Sequence, residues 1–192
     1  MKNARSCAAG ERGFTLFELM IVCSIAAVLA ALAVPAMHSF LQNQQQSSAV
    51  TNLMSTLQYA RSEAIKEDVP VAGANCTGSG VCVCPSANGT TCDPAGNWNN
   101  GWIVYTSANG GAALEAVGAL QPGLTLSTNP ATVAVSYQPN GTTDLNALVE
   151  FTLCDSRGAA YARELEVGIS GSIQASSTPG YDVTGTTALV CP

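Results

Sequence analysis

The 19 residues from Leu19 to Met37 carry no charged side chain. At about 1.5 Å per residue such a run reaches roughly 28 Å as a helix, enough to cross the hydrocarbon layer of a bilayer. Further on, Val50, Leu53, Met54, Leu57, Ala60, Ala64 and Ile65 recur at spacings of three and four, which predicts an amphipathic helix with one apolar stripe. Gln42 to Ser48 form a polar bridge between the two stretches, and Arg61, Glu63, Lys66 and Glu67 are assigned to the solvated side. Asp68-Val69-Pro70 is the predicted stop, because proline disfavours helix at the residue before it. From Phe14 to Asp68 the helix would hold roughly 55 residues and extend about 80 Å if unbroken, so half of it is expected to protrude from any domain this chain can build. Pro35 inside the apolar half is expected to kink or locally melt it, since it removes a backbone donor and clashes with the preceding turn.

From Gly101 onward the period changes. Short apolar or alternating runs separated by turn residues predict strands over Trp102–Thr106, Ala113–Leu120, Leu124–Ser127, Thr132–Tyr137 and Leu148–Cys154, and over Ala162–Ala175 in one or two pieces. Val133 to Tyr137 and Leu165 to Ser170 alternate with one apolar face. Asn88-Gly89, Asn100-Gly101, Asn109-Gly110 and Asn140-Gly141 mark turns, because both residue types tolerate positive φ. Asn88-Gly89-Thr90 and Asn140-Gly141-Thr142 also match a glycosylation sequon, but are read as turns. The expected class is α+β, one long N-terminal helix packed on an antiparallel sheet.

Composition narrows the classes of function. Of 192 residues 10% are charged and 47% hydrophobic, so a large apolar surface has to be buried in a core, a bilayer or a partner. The formal net charge is -6, with Lys2, Arg5 and Arg12 at the extreme N-terminus. Without residues 1–13 four basic residues face twelve acidic ones, a net charge of -8, which offers no broad footprint for a phosphate backbone. Cys7 and Cys23 fall in the leader and the apolar run, leaving Cys76, Cys82, Cys84, Cys92, Cys154 and Cys191. In an oxidising compartment six cysteines read as up to three disulfides, with about 15 possible connectivities.

A basic start followed by an apolar run is also how a secretory signal begins, but such a signal ends at a small-residue cleavage site followed by a polar mature chain. Here the polar leader Met1 to Gly13 stops abruptly at Gly13-Phe14-Thr15-Leu16-Phe17-Glu18-Leu19. That heptapeptide resembles the type III leader of type IV pilins and type II secretion pseudopilins. The resemblance implies cleavage by prepilin peptidase between Gly13 and Phe14, N-methylation of Phe14, and retention of the apolar helix in the mature protein. It also implies that Glu18 neutralises the terminal amine of an adjacent subunit during assembly. A carboxylate near the end of an apolar helix costs about 2.5 kcal/mol or more when unpaired in lipid. The plainer reading has Glu18 snorkelling to the headgroups or favoured by the helix dipole.

The resemblance extends further, through Leu57-Gln58-Tyr59-Ala60-Arg61-Ser62-Glu63-Ala64-Ile65, Cys84 to Cys92, Trp98, Gly101-Trp102-Ile103-Val104-Tyr105, Tyr137-Gln138-Pro139-Asn140-Gly141 and Leu153-Cys154-Asp155-Ser156-Arg157-Gly158. On these residues the chain resembles the GspH/FimT group of minor pilins, with its FimT and FimU branches. The implied organisation is a leader over 1–13, a membrane and filament-core half-helix over 14–40, an amphipathic half over 41–69 and a disulfide-bearing periplasmic β domain over 70–192. The implied location is the inner membrane, single-pass, and then a surface pilus. The implied partners are other minor pilins, the major pilin, prepilin peptidase and the inner membrane. A type II secretion pseudopilin is the nearest alternative.

The Cys84 to Cys92 spacing suits a disulfide around the Asn88-Gly89 turn, and Cys154 to Cys191 would tie the tail to the sheet, leaving Cys76 with Cys82. Zinc is the rival reading of Cys82-Val83-Cys84, but C-x2-C pairs are missing and no histidine lies nearby. No cofactor or metal is expected. No nucleophile elbow, P-loop or dinucleotide turn is present, and the lone His38 sits at the membrane boundary, so no catalytic residue is assigned. Glu164 and Glu166 are expected to solvate a strand face. Some FimT-like proteins resemble DNA receptors with a Gly-Arg-x-Arg motif near the C-terminus. Here Gly171-Ser172-Ile173-Gln174 stands at that place, leaving Arg157 and Arg163 as possible weak DNA contacts. DNA is a possible but disfavoured partner.

Overall fold

The computed structural model describes residues 13–67, 81–106, 113–132 and 134–192, with the backbone alone for 34–36. The predicted helix stop at Asp68-Val69-Pro70, the turn at Asn109-Gly110, Val133, Cys76 and most of the leader lie outside the described residues. The chain divides into two compact units, Met1–Leu41 and Gln42–Pro192. One helix, α1 (Leu16–Glu67), contributes to both, and it is continuous through Pro35.

In the first unit α1 is apolar on every side, and its described side chains are exposed throughout. An 18-residue window there is long and apolar enough to cross a membrane, and none of it is buried. Such a surface needs lipid or protein around it.

In the second unit the stripe read from the sequence becomes one wall of a core. Leu53, Leu57, Ala60 and Ala64 are buried against residues from two antiparallel four-stranded sheets. The first sheet contains β1 (Val81–Pro85), β2 (Trp102–Tyr105), β3 (Ala113–Val117) and β5 (Val135–Tyr137), in the order β3-β2-β1-β5. The second contains β4 (Thr125–Asn129), β6 (Val149–Cys154), β7 (Arg163–Val167) and β8 (Ile173–Ala175), in the order β4-β6-β7-β8. Val83, Trp102, Val104 and Tyr137 from the first sheet meet Leu126, Phe151, Leu153 and Leu165 from the second. Trp98, in a short 3-10 turn before β2, packs edge-on against Phe151 with ring centroids 5.0 Å apart. Its indole N–H donates to the Thr132 carbonyl at 2.8 Å, so the ring is buried without leaving its donor unpaired.

The α+β class and the long helix on antiparallel strands are borne out, with two corrections. The expected single sheet is two. The segment before Gly101 contains β1, an inner strand of the first sheet, where the sequence shows only closely spaced cysteines. β1 is buried on both faces: Val81 and Val83 enter the main core, while Cys82 and Cys84 form a second cluster with Ile103. A strand covered on both sides has no polar alternation to read. Ala162–Ala175 is two strands, and the predicted strand from Thr132 shortens to three residues.

Candidate functional site

At the helix start, Thr15 acts as the cap. Its hydroxyl accepts the Glu18 N–H at 3.2 Å, and its carbonyl accepts the Leu19 N–H at 3.2 Å. Thr15 thus stands at the N-cap and Glu18 at N3, and the carboxylate lies in the first turn, where the helix dipole favours negative charge. Gly13, Phe14 and Glu18 are all exposed, and Phe14 retains 81% of its accessible surface. Cys23 is a free thiol, exposed on the same helix.

In the second unit the helix is fastened to the sheets by its polar residues. Arg61, expected on the solvated side, instead donates from Nε to the Gly141 carbonyl at 2.9 Å and from Nη2 to the Ser170 carbonyl at 3.4 Å. Those carbonyls belong to the loops that follow β5 and β7, so one guanidinium joins α1 to a loop from each sheet. The site demands glycine: Gly171 has φ +76°, and a Cβ there would sit 2.0 Å from the Gly141 oxygen. Glu67 accepts a hydrogen bond from Thr106 at 3.1 Å, while Lys66 pairs with Glu63 at the surface.

Among the described residues two disulfides fasten the loops. Cys84 joins Cys92 with a Cα separation of 5.5 Å, closing the Asn88-Gly89 turn, and Cys154 joins Cys191 at 6.0 Å, holding the C-terminal tail on β6. Asn88 Oδ1 accepts the N–H groups of Thr90 and Thr91, and Asn140 Oδ1 that of Thr142, so both Asn-Gly pairs are side-chain-capped turns. Cys82 is also disulfide-bonded; its expected partner, Cys76, lies outside the described residues. The sulfurs of Cys82, Cys84 and Cys92 lie within 4.8 Å of one another, but all three cysteines are in disulfides and present no thiolate to a metal.

The predicted DNA-contact residues are not brought together as a basic site. Arg157 donates from Nε at 2.9 Å and from Nη2 at 2.6 Å to the same Asp155 oxygen, Oδ2, donates to Asn43 Oδ1 at 2.8 Å and lies over the Tyr161 ring at 4.3 Å. It clamps its own loop to the helix. Arg163 lies on β7 opposite Leu153.

Glu164 corrects the expectation of a solvated acid pair. It is buried, 3% exposed, and its Oε2 accepts the Val183 N–H at 3.0 Å from the C-terminal segment. Burial pushes its carboxyl above the usual range, against the Val183 hydrogen bond and reinforced by Glu150, Glu166 and Asp182. At Asp182, desolvation also pushes upward, but hydrogen bonds from Thr186, Thr184 and Thr187 outweigh it and hold the carboxyl at about 2. Only a strand burial pattern that the sequence does not display separates Glu164 from Glu166.

An apolar helix opening with a capped prepilin-like start and continuing into a core closed by two disulfide-fastened antiparallel sheets defines a class, the type IV pilin-like subunits. Solved structures show the same fold: the type IV minor pilin FimU of Pseudomonas aeruginosa PAO1, in two crystal forms, matches with TM-scores of 0.53 and 0.51 at 23% identity. The matches cover 70% and 67% of this chain and 90% of the FimU chain in each. The family profile described as Type II transport protein GspH matches residues 49–172, and that of the prokaryotic N-terminal methylation motif matches residues 9–34. The chain belongs to the GspH family of type IV pilin-like proteins. The type IV major pilin PilA of Myxococcus xanthus (strain DK1622) is 54% identical over 43 residues, 22% of this chain and only 20% of PilA. Family and fold are those of structural subunits.

Proposed function

We propose that this protein is a minor structural subunit of a type IV pilus, acting in its initiation or tip complex. One observation carries the reading: a helix whose run from Leu19 to Met37 is uncharged and whose described side chains there are exposed, which begins with a prepilin-type start and runs on as the helix of a pilin β domain. In that reading prepilin peptidase cuts between Gly13 and Phe14, Phe14 becomes the methylated mature terminus, and Glu18 meets the terminal amine of an adjacent subunit. The helix rests in the inner membrane until extraction and then exchanges lipid for neighbouring helices at modest net cost. The β domain, fastened by Arg61 and the disulfides, faces outward in the periplasm and supplies specificity for the major pilin and other minor pilins.

The test is the Glu18→Ala variant expressed at wild-type levels in a filament-forming host. The proposal expects its share in sheared filaments to fall at least tenfold with its membrane level unchanged; unchanged incorporation would refute the assembly role of this carboxylate. A pseudopilin of type II secretion is the second reading, favoured by the GspH profile match. Deletion separates the two: loss of surface pili supports the first, loss of secreted exoproteins the second.

A further inference from the structure

The second unit enters α1 with five amide side chains, Gln42 to Gln46. Phe40 and Leu41, just before them, are 61% and 50% exposed and end the apolar stretch of the helix. The loop from Asp155 to Tyr161 is tied to this point: Gln42 Nε2 donates to Ser156 Oγ at 3.3 Å, and Arg157 Nη1 donates to Asn43 Oδ1 at 2.8 Å. Asn43 follows Leu41 by two residues, about 3 Å of helix and no more than about 7 Å of backbone in any conformation. The headgroup layer on one side of a bilayer is about 5–7 Å deep. The tether therefore holds the loop at the level where the apolar stretch ends, whatever the tilt of the helix. Three features suit the loop to that level. Its only charged residues, Asp155 and Arg157, pair with each other and are 4% and 15% exposed, so it carries no free charge in a chain whose net charge after residue 13 is -8. Tyr161 turns a ring face to Arg157 yet stays 46% exposed, an apolar ring with a polar tip, the kind of side chain that settles at a membrane–water boundary. Cys191 is bonded to Cys154, the residue before the loop, and its neighbour Val190 is largely exposed.

We propose that the Asp155–Tyr161 loop, together with Val190, is a lipid contact: while the apolar helix lies in the membrane, Tyr161 rests in the headgroup layer and seats this end of the β domain on the bilayer. Exposure alone does not make such a contact, and Ile169 shows the difference. It is also exposed, but its loop is held by Arg61 through the Ser170 carbonyl, and Arg61 lies 18 residues beyond Asn43, about 27 Å further along α1. Recognition of one anionic headgroup is disfavoured, because the Arg157 charge is already taken by Asp155. What remains is a neutral aromatic and aliphatic contact, open to any bilayer surface and weak enough to be given up when the helix is withdrawn. The inference rests on the reading of the apolar helix as a membrane segment.

The experiment uses the full chain in vesicles of phosphatidylethanolamine and phosphatidylglycerol that contain a tritiated phospholipid. Photoreactive benzoylphenylalanine replaces Ile25, Tyr161 or Ile169 in separate preparations, all three being exposed positions. After irradiation and removal of free lipid, the label bound to the protein is counted. Ile25, on the apolar stretch, should be labelled, and Tyr161 should take at least tenfold more lipid than Ile169. Retention of the Cys154–Cys191 disulfide checks folding. Should the Tyr161 substitution lose it, the same reagent at Pro122 decides, an exposed position on the turn that shares a small hollow with Gln42 and Asp155. A smaller ratio with Ile25 labelled, or adducts at Tyr161 on a second copy of the chain in place of lipid, would overturn this inference alone. An unlabelled Ile25 would overturn the membrane reading with it.

Discussion

Removing the Cys154–Cys191 disulfide should cost more stability than removing Cys84–Cys92, by an amount set by the chain each one closes. The sequence separations are 37 and 8 residues. Loop-closure entropy grows with the logarithm of loop length, which gives about 3.8 kcal/mol for the longer loop and about 2.5 kcal/mol for the shorter at 25 °C. The two loops do not overlap in sequence, so the effects should add to within about 0.5 kcal/mol. Each disulfide is removed as a double Cys→Ser variant so that neither half of the broken pair is left as a thiol beside the free Cys23. Trp98 and Trp102 are both buried, so tryptophan fluorescence reports unfolding of the full chain in detergent against guanidinium. The expected order is wild type, then Cys84→Ser/Cys92→Ser, then Cys154→Ser/Cys191→Ser, with about 1.3 kcal/mol between the variants. A larger loss from the short loop would refute the entropic reasoning. It would show that the Cys82, Cys84 and Ile103 cluster depends on that disulfide for its packing.

Other outcomes follow from named contacts. Gly171→Ala should destabilise the second unit by at least about 2 kcal/mol in the same assay, because it adds a Cβ at φ +76° onto the Gly141 carbonyl. A loss below 0.5 kcal/mol would show that the two loops separate freely. Glu164 has a folded pKa above its unfolded value, so its protonation favours the folded state. Its contribution is full below the unfolded value, near 4.5, and is lost as pH rises through the folded value. Glu164→Gln, which keeps an acceptor for the Val183 N–H, should flatten the wild-type fall in stability across that window; an unchanged pH profile would contradict the assignment. With Arg157 held by Asp155 and a net charge of -8 after residue 13, duplex DNA should show no low-micromolar, steeply salt-dependent binding in a fluorescence-anisotropy titration.

The sequence displayed most of the helix and the later strands because each leaves a periodic trace. Leu53, Leu57, Ala60 and Ala64 fall on one face at helical spacing, and the β7 run alternates around Leu165 and Val167. β1 left no trace, since Val-Cys-Val-Cys is apolar on both faces and both faces are covered. The division into two sheets was invisible for a related reason: strand pairing is a long-range choice, and β1 pairs with β5 across more than fifty residues. At the site, the prepilin-type start was legible as a local string. The role of Arg61 was not, because its acceptors are the backbone carbonyls of Gly141 and Ser170, 80 and 109 residues away. Charge alone put Arg61 and Glu164 on the surface. Hydrogen-bond partners brought both inward, and nothing in residue identity records a backbone partner so distant.

The account depends most on the apolar helix staying with the β domain after processing. Intact-mass and N-terminal peptide analysis of the chain recovered from sheared filaments tests this directly. The expected product begins at Phe14, carries one N-methyl group and retains Leu16–Glu67. A terminus downstream of Met37, with the β domain recovered as a free periplasmic protein, would contradict it.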